Sequence, residues 1–448
     1  MRYGSLLGPS VGLLFVAGMG TMFGIGACGG SDGSGGDNPE DTGGGFNVDA
    51  DNGCPAGKTT SVSGTVYSPA KSSPDPIYNA AVFIPAQSTL DPFPRGVRCD
   101  RCGTLEGTKV KVSALTGSDG KFRLENVPAG KNVPFVVQIG RWRRKVTIPE
   151  VKACEDTPLP AELTRLPRNQ EEGDIPLTAI VTGRADLLQC VLRKIGIEDK
   201  EFCEPLPDGR GRIHVFKSLN GTDIGSGTIG GSSLYKNLDF MKKYDQLLLP
   251  CEGSARTTDK DATAMGNLVA YANGGGKVFT THYGYVWLQS STDAQWKNLT
   301  TWATTTDSIA KLPATIDQSF PKGKAMAEWL QLVGATTKLG EFEINDARVD
   351  ITAAPKAPAQ TWIRSTAPAS TQHFTFNTPI EKPTAEQCGR VIYSNFHVVG
   401  LDDFSTPYLF PAECTDGPLT PQERVIEFML FDLASCIQPD TDPPKAPK

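Results

Sequence analysis

The sequence predicts a multidomain chain: a small β-sandwich followed by a doubly wound α/β domain that carries a long insertion. Three observations predict it. At 448 residues the chain is long enough for two or three domains, each with its own core. Between residues 59 and 165, short runs of apolar residues are separated by Gly, Pro, Asn and Asp turn signals, the pattern of packed antiparallel sheets. From 174 to 438, buried-strand runs alternate with helically spaced ones, which builds a parallel sheet covered by helices. The net charge of −6 offers no basic field, so nucleic acid is excluded as a partner.

The N-terminus sets the compartment. Arg2 precedes an apolar, glycine-rich run over 6–23, and Ile25-Gly26-Ala27-Cys28 then resembles a bacterial lipoprotein signal. The resemblance implies a removed segment over 1–28, acylation of Cys28, and a membrane partner reached through the lipid. Gly29 in place of Asp implies the outer membrane, facing either the periplasm or the surface. The alternative is an ordinary Cys28 beside a conventional cleavage site. No other run approaches the apolar length of a membrane span. Residues 29–58 are Gly, Ser, Asp and Asn with little to bury, which predicts a flexible tether.

Eleven cysteines less Cys28 leave ten, an even number in an exported chain. Oxidising export makes Cys54, Cys99, Cys102, Cys154, Cys190, Cys203, Cys251, Cys388, Cys414 and Cys436 disulfide candidates. Nearness in sequence suggests Cys190 with Cys203 and Cys414 with Cys436. The Cys99-x-x-Cys102 pair lacks the helix start a redox motif uses, and lacks a second pair for zinc.

In the first domain, strands are expected over 63–67, 80–84, 134–139 and 145–148, and 116–124 reads as a turn followed by alternating apolar and polar residues. The run SGTV…NAAVFIP…ALTGSDGKFRLENVPAG resembles the carboxypeptidase-regulatory-like (prealbumin-like, Cna-B-type) β-sandwich, which implies a stalk or accessory module. Arg141-Trp142-Arg143-Arg144 offers a ligand patch for anionic groups, with Trp142 as a stacking platform. Alternatively Trp142 packs inward at a strand edge while the arginines face water.

In the second domain, 177–181 reads as a strand, and 186–195 as a helix stopped by Gly196. A strand over 213–216 follows. The glycine-rich 222–232 lacks a phosphate-loop lysine and reads as surface loop. The strand over 244–253 has a polar end, Cys251-Glu252-Gly253, and a helix over 262–272 feeds the glycine break 274–276. An apolar strand then runs into His282-Tyr283-Gly284, the layout of a nucleophile elbow. Residues 290–388 read as an insertion holding a helix over 325–333 and several short strands. The strand 389–397 ends in His397, and Thr420-Pro421-Gln422-Glu423 is a capping box ahead of the last helix. The proline-rich tail 439–448 is expected to be loose.

The runs Tyr244-Asp245…Pro250-Cys251-Glu252-Gly253, 272–282 and 389–397 are similar to the class I glutamine amidotransferase-like superfamily, and especially its ThuA-like branch. The resemblance implies a flavodoxin-like sheet. In the amidotransferases the elbow residue is cysteine and the late-strand histidine its base; here His282 stands at the elbow and His397 matches the base. That implies loss of glutaminase activity. The ThuA-like branch is linked to sugar metabolism.

His282, His397 and Glu252 are the candidate catalytic residues, and their types also suit a divalent metal, although no cofactor is expected. Cys251 is expected to be structural and oxidised, and His214 and His373 ordinary. The leading expectation is a cell-envelope lipoprotein that binds or scaffolds without catalysis, with an envelope saccharide or protein as partner. The alternative is a ThuA-like enzyme acting on a saccharide through His282 and His397. A third is adhesion through the sandwich and the arginine patch.

Overall fold

A computed structural model describes residues 53–447, apart from the short stretches 104–107, 206–209, 219–220, 226, 304–307 and 399–407. The leader, Cys28 and most of the tether lie outside the described residues. No helix among the described residues is long and apolar enough to cross a membrane.

The chain is mixed α/β with several sheets, and a ten-stranded sheet is its frame. Six strands run parallel, in the order Gly389–Ser394, Lys277–Thr281, Gln246–Leu249, Thr178–Thr182, Ile213–Lys217 and Phe202–Cys203. Their continuous apolar runs (Ala179-Ile180-Val181, Leu247-Leu248-Leu249, Val391-Ile392-Tyr393) are buried on both faces, as a parallel sheet covered by helices requires. Chain order reverses at Thr178–Thr182, the kind of switch point beside which open α/β sheets form their crevices.

The segment expected as an insertion does not stand apart. Its strands Ala369–Thr378, Gln360–Thr366, Ser308–Ile316 and Glu341–Arg348 continue the same sheet in antiparallel pairing from Gly389–Ser394 outward.

Helix ends follow local chemistry. Gly196 takes a left-handed φ of 113° that closes Leu188–Ile195, and the Asp261 side chain accepts the Ala264 N–H at the start of Ala262–Asn273. Thr420 and Glu423 cap the helix Pro421–Ala434 reciprocally. Lys277 Nζ closes the far end of that helix by donating to the carbonyls of Ala434 and Ser435.

Two smaller sheets come from the N-terminal part. One has the order Lys121–Glu125, Ser61–Thr65, Asp156–Pro158; the other Val110–Leu115, Ala81–Pro85, Gly130–Ile139, Trp142–Val151. Their buried Val62, Leu124, Phe135 and Val137 share one core with Phe428 and Phe431 of Pro421–Ala434. The hairpin turn at Gly140 presses on that helix so closely that a Cβ there would lie 1.7 Å from the Ala434 carbonyl oxygen.

Four sequence expectations are corrected here. The disulfides are Cys54–Cys154, Cys99–Cys388, Cys102–Cys436 and Cys190–Cys414, so neither pair suggested by nearness forms. Cys203 and Cys251 remain thiols. The arginine run is engaged within the fold. Arg141 donates to Asp245 at 2.7 Å, Arg143 donates to Asp174 at 2.8 Å while stacking on Phe93, and Arg144 donates to the Glu162 carbonyl. Trp142 does turn inward, edge-on to Phe431. Finally the tail is pinned, because Asp440 accepts from buried Arg390 at 2.7 Å and from Thr375 at 2.6 Å.

One buried acid joins the two parts of the chain. Glu427 is fully buried on Pro421–Ala434 beside Asp75, which is itself paired with Arg424 at 3.0 Å. Burial first, and then the Asp75 charge, hold the Glu427 carboxyl well above its ordinary value of 4.5. With the folded pKa raised, this acid's contribution to stability is complete below about pH 4 and is lost as pH rises towards the folded pKa. Glu427→Gln, which cannot ionise, is expected to be more stable than wild type at pH 8, the difference closing near pH 4. Urea unfolding across that range checks it; parallel profiles would show that Glu427 is not held neutral.

Candidate active site at the strand ends

Three neighbouring parallel strands deliver the candidate residues. Beyond Gln246–Leu249 comes Cys251, beyond Lys277–Thr281 comes His282, and beyond Gly389–Ser394 comes His397. The backbone turns abruptly at His282, whose φ of 35° is a conformation that non-glycine residues seldom occupy and that costs about 1–3 kcal/mol. The chain continues as a short helical turn, His282–Tyr285, and then as Val286–Gln289. Gly284 permits this turn, since a Cβ there would lie 1.8 Å from Thr280 Oγ1. Thr280 Oγ1 meanwhile donates to the Leu249 carbonyl at 2.9 Å.

Asp186 ties the three ends together. Its carboxylate accepts from Thr281 Oγ1 at 2.6 Å and from the Val398 N–H at 3.2 Å, while Thr281 Oγ1 accepts the Cys251 N–H at 2.8 Å. The Tyr393 hydroxyl donates to the His282 carbonyl at 3.0 Å, which fixes the elbow from behind.

The side chains converge. His282 Nδ1 lies 3.0 Å from His397 Nε2 and 3.3 Å from Cys251 Sγ. The Gly253 N–H points at the same sulfur from 3.5 Å. Each imidazole turns its other nitrogen to a carboxylate: His282 Nε2 is 3.5 Å from Asp350 Oδ2, and His397 Nδ1 is 3.6 Å from Asp346 Oδ2. The cluster is buried, with Cys251 at 0%, His282 at 2% and His397 at 9% exposure.

The two histidines titrate in opposite directions. Burial, then the charges of His397 and Arg348, depress His282 to about 2. Burial alone would also depress His397, but the Cys251 sulfur, the Asp346 contact and Asp186 outweigh it and push His397 up to about 10.

His282 and His397 thus meet, and Glu252 does not join them. Its carboxylate accepts from Ser218 Oγ at 2.6 Å and Tyr235 OH at 3.2 Å, and pairs with Lys260 at 3.2 Å. Cys251, expected to be oxidised, is instead the third member of the cluster. His214 meets Tyr244 OH at 3.0 Å, and His373 is wholly buried against Phe279 and Phe396, so both are core residues.

Sequence reasoning missed Asp346 and Asp350. Asp346 sits in the antiparallel strand Glu341–Arg348 of the expected insertion and Asp350 just past its end, and the bridge between Ala347 and Phe396 brings this segment to the site. No local motif marks them.

The donor set of sulfur and two imidazoles could hold a metal ion. A second group, Cys190, Glu413 and Cys414, has its sulfurs bonded to one another and has no such capacity.

No protein-family model matches the chain, and no curated protein sequence matches it. Among solved structures, it is similar to a ThuA-like protein from Bacteroides uniformis at 9% identity, over 57% of this chain and 89% of that one, with a TM-score of 0.33. It is also similar to a cytoplasmic protein from Salmonella typhimurium at 9% identity, over 52% of this chain and 91% of that one, with a TM-score of 0.29. A cohesin–X-dockerin complex from Acetivibrio cellulolyticus aligns over 31% of this chain and 85% of that one, at 15% identity and a TM-score of 0.17.

Gly284→Ala is expected to destabilise the chain by about 1–3 kcal/mol, because the elbow must open to admit a methyl group. Gly227→Ala, where a Cβ meets nothing within 4 Å, is expected to stay within about 0.5 kcal/mol of wild type. Denaturant melts of the two variants check the contrast.

Proposed function

We propose that this chain is a lipid-anchored protein of the bacterial cell envelope and an enzyme of the ThuA-like kind, acting on a saccharide at the His282–His397–Cys251 cluster. The observation that carries the proposal is the meeting of two imidazoles and a thiol at the ends of three adjacent strands, each imidazole backed by a carboxylate. A relic crevice has no need of that arrangement, nor of the unfavourable backbone at His282 that aims one of its members. Support for export comes from the lipoprotein-like Ile25-Gly26-Ala27-Cys28 and from four disulfides. The saccharide class rests on the ThuA-like resemblance of the strand-end runs. In this reading the N-terminal sheets form a β-sandwich of the carboxypeptidase-regulatory-like kind that serves as a stalk.

A second reading, recognition of an envelope saccharide without turnover, is favoured by the burial of the cluster.

The test uses the full chain, expressed in an exporting bacterial host, extracted in detergent and incubated with peptidoglycan fragments and lipopolysaccharide sugars. Mass spectrometry follows the products. Turnover is expected, falling by about 10²–10⁴-fold in His282→Ala and in His397→Ala. Binding without turnover that is lost in both variants supports the second reading. Neither binding nor turnover in the folded wild type overturns both. The same preparation tests the anchor: the N-terminal peptide is expected to carry lipid on Cys28, and Cys28→Ala to leave the membrane fraction.

A further inference from the structure

We infer that Cys251, His282 and His397 form a divalent-metal site of the zinc type, with Cys251 Sγ, His282 Nδ1 and His397 Nε2 as the protein ligands and a fourth position for water or substrate. The inference deepens the enzyme reading of the same cluster by giving it a cofactor.

Geometry is the first ground. Zinc bonds of about 2.0–2.1 Å to nitrogen and 2.3 Å to sulfur, at tetrahedral angles, separate ligand atoms by roughly 3.3–3.6 Å. The nitrogens here lie 3.0 Å apart and the sulfur 3.3 Å from His282 Nδ1. All three donor atoms fall within 4.8 Å of one another. Movement of a few tenths of an ångström opens the centre to an ion.

Orientation is the second ground. A metal-bound histidine almost always turns its remaining N–H to a carboxylate, carbonyl or water, which fixes the tautomer that presents a lone pair to the metal. A carboxylate stands behind each ring in place to take that role after a small movement: Asp350 Oδ2 lies 3.5 Å from His282 Nε2 and Asp346 Oδ2 lies 3.6 Å from His397 Nδ1. The Gly253 N–H aimed at Cys251 Sγ is the matching contact for a metal-bound thiolate.

The alternative use of these atoms is a thiol–imidazole nucleophile, with Cys251 attacking, His397 as base and Asp346 orienting it. That scheme needs one imidazole. It leaves His282, held in an unfavourable backbone conformation with Nδ1 facing the other two atoms, without a task. A metal employs all three. A donor set of one sulfur and two nitrogens selects zinc, or cobalt and iron in its place, over magnesium and calcium, which prefer oxygen. Three protein ligands among the described residues, with a fourth position for water or substrate, is the pattern of catalytic rather than structural zinc.

The test takes the full chain in detergent, strips it with a chelator and titrates it with Zn²⁺ or Co²⁺ alone. About one equivalent of metal per chain is expected by elemental analysis. The cobalt form should show a thiolate-to-cobalt charge-transfer band in the near ultraviolet and tetrahedral bands in the visible. This signature reads sulfur ligation directly in the wild type, so it does not depend on whether variants fold. Cys251→Ser should abolish the charge-transfer band, and His282→Ala and His397→Ala should each lose the tight equivalent. Cys203→Ser should keep both.

A folded wild type that takes up no metal, or whose cobalt form lacks the thiolate band, overturns the inference. So does metal uptake unchanged by Cys251→Ser and His282→Ala. The two readings fail separately. Metal bound at the cluster without saccharide turnover supports the metal site and removes the enzyme. Turnover that persists in the fully stripped chain overturns the metal site and leaves the enzyme standing.

Discussion

The register of three parallel strands is the constraint on which the rest depends. Leu249 pairs with Thr280, and Thr281 with Ser394, so the three chains leave the sheet at nearly the same level. A slip of one residue in any of them would turn that strand's side chains to the opposite face. Nothing in an apolar strand forbids such a slip by itself. What fixes the level is the polar chemistry just past the last ladder bonds, where Asp186 receives Thr281 and Val398 while Thr281 receives the Cys251 N–H. One carboxylate thereby links all three ends. Cys251, His282 and His397 inherit their meeting point from it.

A second set of buried charges fastens what lies beneath. Arg390 and Lys322, both buried, meet Asp432 at 2.6 and 2.7 Å, and Arg390 reaches Asp440 of the tail at 2.7 Å. Replacing a buried pair by apolar residues is often neutral, but removing one member strands a charge and costs about 3–5 kcal/mol. The network therefore couples the strand that carries His397, the last helix, the expected insertion and the tail into one cooperative body. The N-terminal sheets join that body through Trp142 on Phe431 and through two disulfides from the segment 99–102.

What was legible in the sequence was local. The apolar runs gave the parallel strands, Gly196 and the Thr420–Glu423 box gave helix ends, and the pattern around His282 and Gly284 marked a sharp turn whose backbone is indeed unusual. What was not legible depended on contacts between distant residues. Cys99 and Cys388 are 289 positions apart, and Cys102 and Cys436 are 334 apart, so nearness along the chain misled. The arginines at 141, 143 and 144 have the composition of a ligand patch; only the fold reveals that Asp245, Asp174 and the Glu162 carbonyl already occupy them. Asp346 and Asp350 reach the site on and just past the strand Glu341–Arg348, in a segment whose pattern reads as an insertion.

Cys251 joins these strands of argument. In an oxidising compartment an accessible thiol with a neighbour within reach becomes a disulfide, and eight cysteines of the described chain have done so. Cys251 is not among them and remains a buried thiol. Full burial keeps it from any other chain, and its sulfur meets His282 Nδ1 and the Gly253 N–H. Burial protects a thiol equally well among apolar residues, where it would be an inert small hydrophobe. Here it is surrounded by two imidazoles, with carboxylates behind them, so the fold bears the desolvation of several polar groups at one point. Such a cost is repaid only where the groups interact strongly with one another or with something they share. The strain at His282 adds to that cost in the same place, which is the distribution expected when a site, rather than stability, has shaped the ends of the strands.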